Sequence, residues 1–159
     1  MNLFRLYNEL KKDERFRERE KLISRLRDKT EFGAEDIGAI FAYKKLDCHS
    51  TTEIEKITRK AFASNDLVEK FRILKRMAGV TTTMASTILT FQNPNRYAEL
   101  DPKTWRILRE SFGFNAPEKD AHSDYTAPEY LGYLGILDSI GAEYGMKLSD
   151  VEFVLKTVD

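Results

Sequence analysis

Residues 71–108 read FRILKRMAGVTTTMASTILTFQNPNRYAELDPKTWRIL, and the pattern of this stretch sets the architecture of the chain. Apolar residues recur every three or four positions on both sides of an Ala78–Thr81 turn, which is typical of two amphipathic helices joined by a short bend. After a longer loop, Asp101 and Pro102 occupy the positions of an N-cap and a first helical residue. The sequence therefore predicts a helix, a glycine hairpin, a second helix, a loop, and a third helix capped by an aspartate.

The rest of the chain has the same helical character, because no long period-two alternation and no Asn-Gly or Asp-Gly hairpin favours a strand. The segment Thr82–Phe91 is nearly all apolar, so we expect it to be buried on most sides. Capping-box spacing occurs at Ser50–Glu53, at Thr126–Glu129 and at Ser149–Glu152. Asn65 is placed to cap the helix before the hairpin. We expect about eight or nine helices in all.

The domain prediction follows from length. At 159 residues the chain is most simply one all-α domain, 1–159, in which residues 65–112 contain the hairpin and the aspartate-bearing loop and helix. Hydrophobic residues at 42% and charged residues at 33% are ordinary for a globular protein. We find no internal repeat, low-complexity segment or linker.

Composition also excludes some classes of site and partner. The one cysteine, Cys48, excludes an internal disulfide framework and any four-cysteine zinc or iron–sulfur site within the chain. No apolar run is long enough to span a bilayer, and the sequence shows no signal-peptide core. We therefore expect a cytoplasmic, intracellular protein with no membrane partner.

Charge is balanced overall but unevenly distributed. The net charge is zero, which argues against strong non-specific binding of nucleic acid by the whole surface. Lysine and arginine outnumber acidic residues over 1–30 and 66–110, whereas acidic residues predominate over 116–159. This asymmetry permits a local phosphate-binding face on a neutral protein.

Two interpretations fit the hairpin. In the first, backbone N–H groups at the start of the second helix point outward and hold a DNA phosphate without reading base sequence. The residues concerned are Gly79, Val80, Thr81, Thr82 and Thr83. In the second, the bend is a plain helix–helix turn whose N-cap is Thr81 or Thr82. Gly79 suits both interpretations, because such a turn often requires a positive φ.

The same residues carry a family resemblance. The runs MAGVTTTMA (77–85) and ASTILTFQNPNRY (85–97), followed by Asp101 and Trp105, resemble the helix-hairpin-helix and Gly/Pro-Asp region of the DNA glycosylase superfamily. That superfamily includes endonuclease III and adenine-mismatch glycosylases, and the likeness is greatest to its small, little-characterised members. The likeness is strong over residues 74–108, looser in the closing helices and weak in the first sixty residues.

This resemblance implies a compact, multi-helix DNA-glycosylase-like fold and a base-excision-repair protein that binds duplex DNA, at the nucleoid. It places the family's essential aspartate at Asp101. Thr81 stands where the family has a second hairpin glycine, and Thr83 where it has a Schiff-base lysine. Without that amine, attack on the sugar C1′ and cleavage of the strand are not expected. The resemblance thus implies a monofunctional N-glycosylase with no cofactor and no iron–sulfur cluster.

Asp101 has two possible roles. Loss of a base builds positive charge on the deoxyribose, and a nearby carboxylate stabilises that charge or activates water. The nucleotide must also be flipped out of the stack to expose its base. Alternatively, an aspartate before Pro102 is fully explained as an N-cap. One residue can fill both roles.

Four further residues are candidates for the site. We expect Arg96 and Lys103 to hold phosphates beside Asp101, with ordinary surface positions as the alternative. Tyr43 and Trp105 are candidates for a base pocket. A solvated helix end is the alternative for Tyr43, and a core position is the favoured alternative for Trp105.

A metal site is not expected. The pair Cys48–His49 and the cluster of Asp120, His122 and Asp124 contain ligand-type side chains, but both histidines lie in predicted loops and no further histidine is available.

Two other functions stay open. A non-catalytic helix-hairpin-helix module or repair accessory protein would keep DNA binding and lack the chemistry, and the departures at Thr81 and Thr83 favour it. A helical protein–protein interaction domain would depend on the charged N-terminal helices. Duplex binding separates this last function from the others, and base release separates the enzyme from the accessory module.

Overall fold

The computed structural model of the protein describes residues 2–49, 51–120 and 122–158. Over those ranges it contains nine α-helices and no strand, which confirms the all-α prediction. In chain order they are α1 (Leu3–Leu10), α2 (Glu14–Leu26), α3 (Ala34–Tyr43), α4 (Ile54–Ala63), α5 (Leu67–Leu74), α6 (Thr82–Gln92), α7 (Pro102–Ser111), α8 (Ala127–Tyr144) and α9 (Leu148–Thr157).

Two helices are the centres of the packing. α6 contacts α2, α3 and α5, whereas α9 contacts α1, α7 and α8. Every residue from Met84 to Phe91 of α6 is buried, as its apolar sequence predicted. Every residue from Leu148 to Leu155 of α9 is buried as well. α6 carries no charged residue, which is typical of a helix surrounded by others. α9 also buries Asp150 and Glu152, which are paired with Arg19 and Lys156.

The middle of the core is aromatic and includes Trp105. Its indole stacks on Tyr133 with ring centroids 5.5 Å apart and meets Phe114 and Tyr125 edge-on. Trp105 exposes 0% of its surface, and its Nε1 donates a hydrogen bond to the carbonyl oxygen of Pro117 at 2.9 Å. The structure therefore shows a core tryptophan, and the base-pocket interpretation of Trp105 is corrected because its ring has no accessible face.

Two predicted caps are present. Asp101 is the N-cap of α7, its Oδ2 accepting a hydrogen bond from the Thr104 N–H at 2.9 Å, and Pro102 is the first helical residue. Thr126 and Glu129 form a capping box at the start of α8. In both places the side chains satisfy N–H groups that have no partner within the helix.

Two predicted caps were wrong. The residue after Asn65 caps α5: the Asp66 carboxylate accepts a hydrogen bond from the Val68 N–H at 3.0 Å. A carboxylate suits that position because it also interacts with the positive end of the helix dipole. Ser149 lies inside α9, which begins one residue earlier. The Ser149 hydroxyl is buried without a hydrogen-bond partner among the described residues, so it caps nothing, and the Ser149 carbonyl oxygen accepts from the guanidinium of Arg19 at 3.0 Å.

In the capping box predicted at Ser50–Glu53, Glu53 was expected inside the first turn of the helix, and the structure places it before that turn. This residue is the N-cap of α4, with a left-handed φ of 62° and no side-chain capping bond. Ser50 lies outside the described residues.

Gly141 sets the approach of α8 to the start of α9. A Cβ at this position would lie 2.2 Å from the backbone oxygen of Met146, which cannot move aside as a side chain can. We expect Gly141→Ala to lower the free energy of unfolding by about 2 kcal/mol. Urea unfolding followed by circular dichroism measures the change.

Gly135 of the same helix is the matched control. A Cβ there meets nothing within 4 Å, so Gly135→Ala should raise stability by about 0.5–1 kcal/mol through helix propensity alone. Equal effects of the two substitutions would contradict the close approach at Gly141.

Candidate functional site

The bend between α5 and α6 has the backbone geometry that the sequence predicted. Gly79 has a φ of +79°, in the left-handed region that favours glycine. Thr81 is the N-cap of α6, and its hydroxyl accepts a hydrogen bond from the Met84 N–H at 3.2 Å. Within the described part of the chain, nothing accepts a hydrogen bond from the N–H groups of Gly79, Thr81, Thr82 or Thr83. The bend thus fits a plain capped turn and also presents donors for an anion.

The beginning of the bend packs against the segment before α4. A Cβ on Gly79 would lie 3.1 Å from Cδ2 of His49. The Ala78 N–H donates to Oγ1 of Thr51 at 3.0 Å. Ala78, Gly79 and Thr81 nevertheless remain exposed. This part of the bend is accessible to a ligand.

The helix end of the bend lies beside a carboxylate. Thr82 is buried and its hydroxyl donates to Oδ1 of Asp124 at 3.1 Å. The hydrogen bonds from the Tyr125 N–H and from Thr82 hold the pKa of Asp124 below its ordinary value. Val80 is buried in the core. Because a fixed negative charge opposes a phosphate at Thr82, the accessible anion donors are those near Gly79 and Thr81.

Asp101 ends the loop that follows α6, and its carboxylate is partly exposed. The Thr104 N–H holds Oδ2, while Oδ1 accepts no hydrogen bond from any residue of the described ranges. The hydroxyl of Thr104 in turn donates to Oε2 of Glu152 at 3.1 Å. Asp101 therefore offers one fixed and one unoccupied oxygen.

Helices α6 and α8 hold the backbone of this loop. Tyr130 and Tyr133 of α8 donate their hydroxyls to the carbonyl oxygens of Ala98 and Glu99, at 2.6 and 2.7 Å. Ser86 of α6 accepts the backbone N–H of the residue after Glu99, at 2.9 Å. All three bonds are buried, so water does not compete for them.

The side chain of Glu99 connects the loop to three helices. Its carboxylate, 2% exposed, accepts hydrogen bonds from Lys44 at the end of α3 at 2.8 Å, Thr87 of α6 at 2.9 Å and Lys156 of α9 at 3.0 Å. Burial alone would raise the pKa of Glu99, but the Lys156 and Lys44 charges outweigh it and hold the pKa below its usual range. Glu99 is therefore a buried, fully paired anion two residues before Asp101.

Glu152 is a second buried carboxylate, on α9. Its Oε1 lies 3.1 Å from Nζ of Lys156, so that lysine bridges Glu152 and Glu99. Burial raises the pKa of Glu152 to about 7, against the opposing charge of Lys156. Burial alone would lower the pKa of Lys156, but the two carboxylates raise it. Lys156 is therefore held in its protonated form.

Sequence reasoning missed Glu99, Glu152 and Lys156. The signal that was available is local: Glu99 is a lone charge in the segment YAEL, whose other three residues are apolar and lie between two helices. A charge in such a position needs a buried partner.

Arg96 and Lys103, the two cations predicted to hold phosphates beside Asp101, contact Tyr97 and Val158 respectively. The Arg96 guanidinium lies 5.6 Å from the ring centroid of Tyr97 and lines an apolar groove of about 580 Å³ between α5 and α8. No residue of the hairpin bend lines that groove. Lys103 donates through Nζ to the carbonyl oxygen of Val158 near the C-terminus.

Tyr43 lies beside the network that holds the Asp101 loop. It packs edge-on against Phe91 with ring centroids 5.3 Å apart, and burial raises its pKa to about 12. The next residue, Lys44, is the lysine that binds Glu99. Tyr43 is the last residue of α3 and is half-buried.

The cluster near residue 120 is joined by hydrogen bonds. Asp120 accepts from the His122 N–H at 2.8 Å and from the Ser123 hydroxyl at 3.1 Å. Across the ranges described, no three His, Cys, Asp or Glu side chains gather in a way that would hold a metal ion.

None of the helices in the described residues is long and apolar enough to cross a bilayer.

Comparison of the chain with protein-family models, with curated proteins and with solved structures found no match. The likeness to DNA glycosylases thus stays a prediction that rests on the residues of the hairpin and of the Asp101 loop.

The raised pKa of Glu152 predicts that the free energy of unfolding falls as pH rises. Its pKa rises from 4.5 to about 7 on folding, so the folded protein holds this proton more tightly than the unfolded chain. The resulting gain in the free energy of unfolding is complete below pH 4.5 and is lost as pH rises towards 7. Glu152→Gln keeps a neutral side chain at every pH. The stability of this variant relative to wild type should therefore increase by up to about 3 kcal/mol between pH 4.5 and 7.

Urea unfolding at several pH values across this range measures the difference. Glu110→Gln makes the same change at an exposed position of α7 and should show no comparable trend. A constant difference between Glu152→Gln and wild type would contradict the raised pKa.

Proposed function

We propose that the protein is a monofunctional DNA N-glycosylase of the base-excision-repair type, in which Asp101 promotes loss of a damaged or mismatched base. The placement of Asp101 carries this proposal. Asp101 is partly exposed at the head of α7, and the Thr104 N–H holds one of its carboxylate oxygens. Its loop is bound by side chains of α6, α8 and α9 and by Lys44 at the end of α3. A charge fixed in advance is what stabilisation of a charged transition state requires.

The chemistry needs only this carboxylate and water. The C1′–N bond breaks and its electron pair leaves with the base, so the deoxyribose becomes oxocarbenium-like. Oδ1 of Asp101 stabilises that positive charge. Water then adds to C1′ and loses a proton to the carboxylate, and that proton passes through solvent to the departed base. The products are the neutral base and an abasic site in an intact strand, and the carboxylate is restored.

No amine is proposed as a nucleophile. Thr83 occupies the position at which the resemblance expects a lysine. Lys156 is held protonated between two carboxylates, and a protonated amine cannot attack C1′. Lys103 is engaged by the Val158 carbonyl oxygen. Strand cleavage by β-elimination is therefore not part of the proposal.

The bend supplies the contact to the strand in this proposal. The exposed N–H groups of Gly79 and Thr81 suit a backbone phosphate, which they would bind without reading sequence. Because the chain carries no net charge, affinity should be modest. It should fall steeply with salt if the protein neutralises several phosphates.

A non-catalytic DNA-binding or repair accessory module is the second candidate. The hydrogen bond from the Thr104 N–H to Asp101 is a sufficient reason for an aspartate at that position. Thr81 serves as an ordinary N-cap of α6. Both observations are expected of a fold that binds DNA and does no chemistry.

Asp101→Asn separates capping from chemistry, because asparagine caps a helix about as well as aspartate. Wild type and variant are incubated with duplexes that carry a panel of damaged or mismatched bases, and alkali reveals abasic sites. We expect base release by wild type and a loss of roughly a hundredfold or more in Asp101→Asn. The unfolding free energy should change by only a few tenths of a kcal/mol.

Asp66→Asn is the matched control, since it makes the same change at the N-cap of α5 and should leave base release unaltered. Duplex binding without abasic product from any duplex would identify the accessory module. A covalent complex trapped by borohydride would contradict the absence of an amine nucleophile. Failure to bind any duplex would leave the protein–protein interaction domain.

A further inference from the structure

A pocket lined with cations lies beside the beginning of the hairpin bend. It has a volume of about 320 Å³ and we call it the basic pocket. Its lining residues are Thr51, Thr52, Glu53, Lys56, Ile57, Lys60 and Arg76. The lining thus contains three cations, two hydroxyl groups and one acidic residue.

The positive charge of the basic pocket is compensated only in part, by two exposed carboxylates. Glu53 lies 3.8 Å from Lys56 and is well exposed, so solvent weakens that pair. Lys60 and Arg76 form no ion pair with the residues that the structure describes. Glu69 of the neighbouring α5 is paired with Arg72 at 2.6 Å, and it also lies near enough to Arg76 and Lys60 for their charges to help lower its pKa.

The two lysines of the pocket also repel each other. Lys56 and Lys60 are four residues apart on α4 and therefore share one face of the helix. Such a like-charge pair costs a few tenths of a kcal/mol in an isolated helix. A bound anion between them would remove that cost.

The basic pocket is joined to the bend by a hydrogen bond. Thr51, which lines the pocket, accepts the Ala78 N–H at 3.0 Å, and Arg76 precedes the bend by two residues. The exposed N–H groups of Gly79 and Thr81 follow directly. Hairpin donors and pocket cations therefore adjoin on the surface, and Asp124 is not among the residues that line the pocket.

We propose that the basic pocket binds a backbone phosphate of duplex DNA, adjacent to the phosphate held by the hairpin. The proposal rests on the proposed function, because both phosphates belong to the strand whose nucleotide reaches Asp101. Lysine and arginine side chains and threonine hydroxyls are typical phosphate ligands that carry no base specificity. The pocket thus supplies the cations that the hairpin itself lacks.

The test compares two triple variants with the same change in charge. Lys56→Gln, Lys60→Gln and Arg76→Gln together remove the cations of the basic pocket. The matched control removes Lys12, Arg17 and Lys21 of another pocket by the same substitutions; that pocket also contains Glu14 and Glu18 and shares no residue with the basic pocket.

Binding of a labelled duplex is measured by fluorescence anisotropy over a range of salt concentration. We expect the basic-pocket variant to lose tenfold or more in affinity and the slope of log Kobs against log salt to fall by about 1. The control variant should stay close to wild type. At saturating DNA, base release by the control variant should also equal that of wild type, because its substitutions lie outside the proposed site.

Glu53→Gln keeps the test decisive if the triple variant fails to fold. Removal of the one acid of the pocket should tighten duplex binding severalfold, and weaker or unchanged binding would overturn the proposal. Equal losses in the two triple variants would overturn the basic pocket while base release by wild type still supports the glycosylase. No duplex binding by wild type would overturn both.

Discussion

A buried carboxylate between two lysines is the interaction on which the candidate site depends. Removing Glu99 from water is costly, and only complete pairing offsets the loss of hydration. Lys44, Lys156 and Thr87 supply that pairing. Loss of one charged partner from such a group costs about 3–5 kcal/mol, because the remaining charge stays buried and unpaired. The N-terminal helices, the C-terminal helix and the loop before Asp101 are thereby held as one unit.

The two halves of the proposed site are held in different ways. The Asp101 loop is fixed by buried bonds, whereas the bend at Gly79 keeps exposed N–H groups and lies among surface charges. A rigid carboxylate suits chemistry at a fixed atom. An exposed bend suits a phosphate, whose recognition requires donors and cations and little shape. The negative charge of Asp124 beside Thr82 restricts such a contact to the beginning of the bend.

The sequence predicted those features that local patterns encode. The apolar period of α6, the Asp101 cap and the Thr126–Glu129 capping box all depend on residues within one or two helical turns. The predicted Ser149 cap was wrong because Ser149 lies inside a buried helix, where it contacts Arg19, and no local pattern contains that contact. Lys156 is 57 residues from Glu99, so no local pattern identifies it as the partner, although the lone charge in the apolar segment YAEL indicates that Glu99 needs one.

The tyrosine bonds to the Asp101 loop have an evolutionary consequence. Tyr130 and Tyr133 bind carbonyl oxygens, so they recognise the backbone of residues 98 and 99 and not the side chains there. Exchange of Ala98 for another small residue would leave those bonds intact. One inserted or deleted residue would instead shift the carbonyl oxygens that accept these bonds by one peptide unit and move Asp101 away from the head of α7. In descendants of this chain, the distance in sequence between Ser86 and Asp101 should be preserved more strictly than the identities of the residues between them.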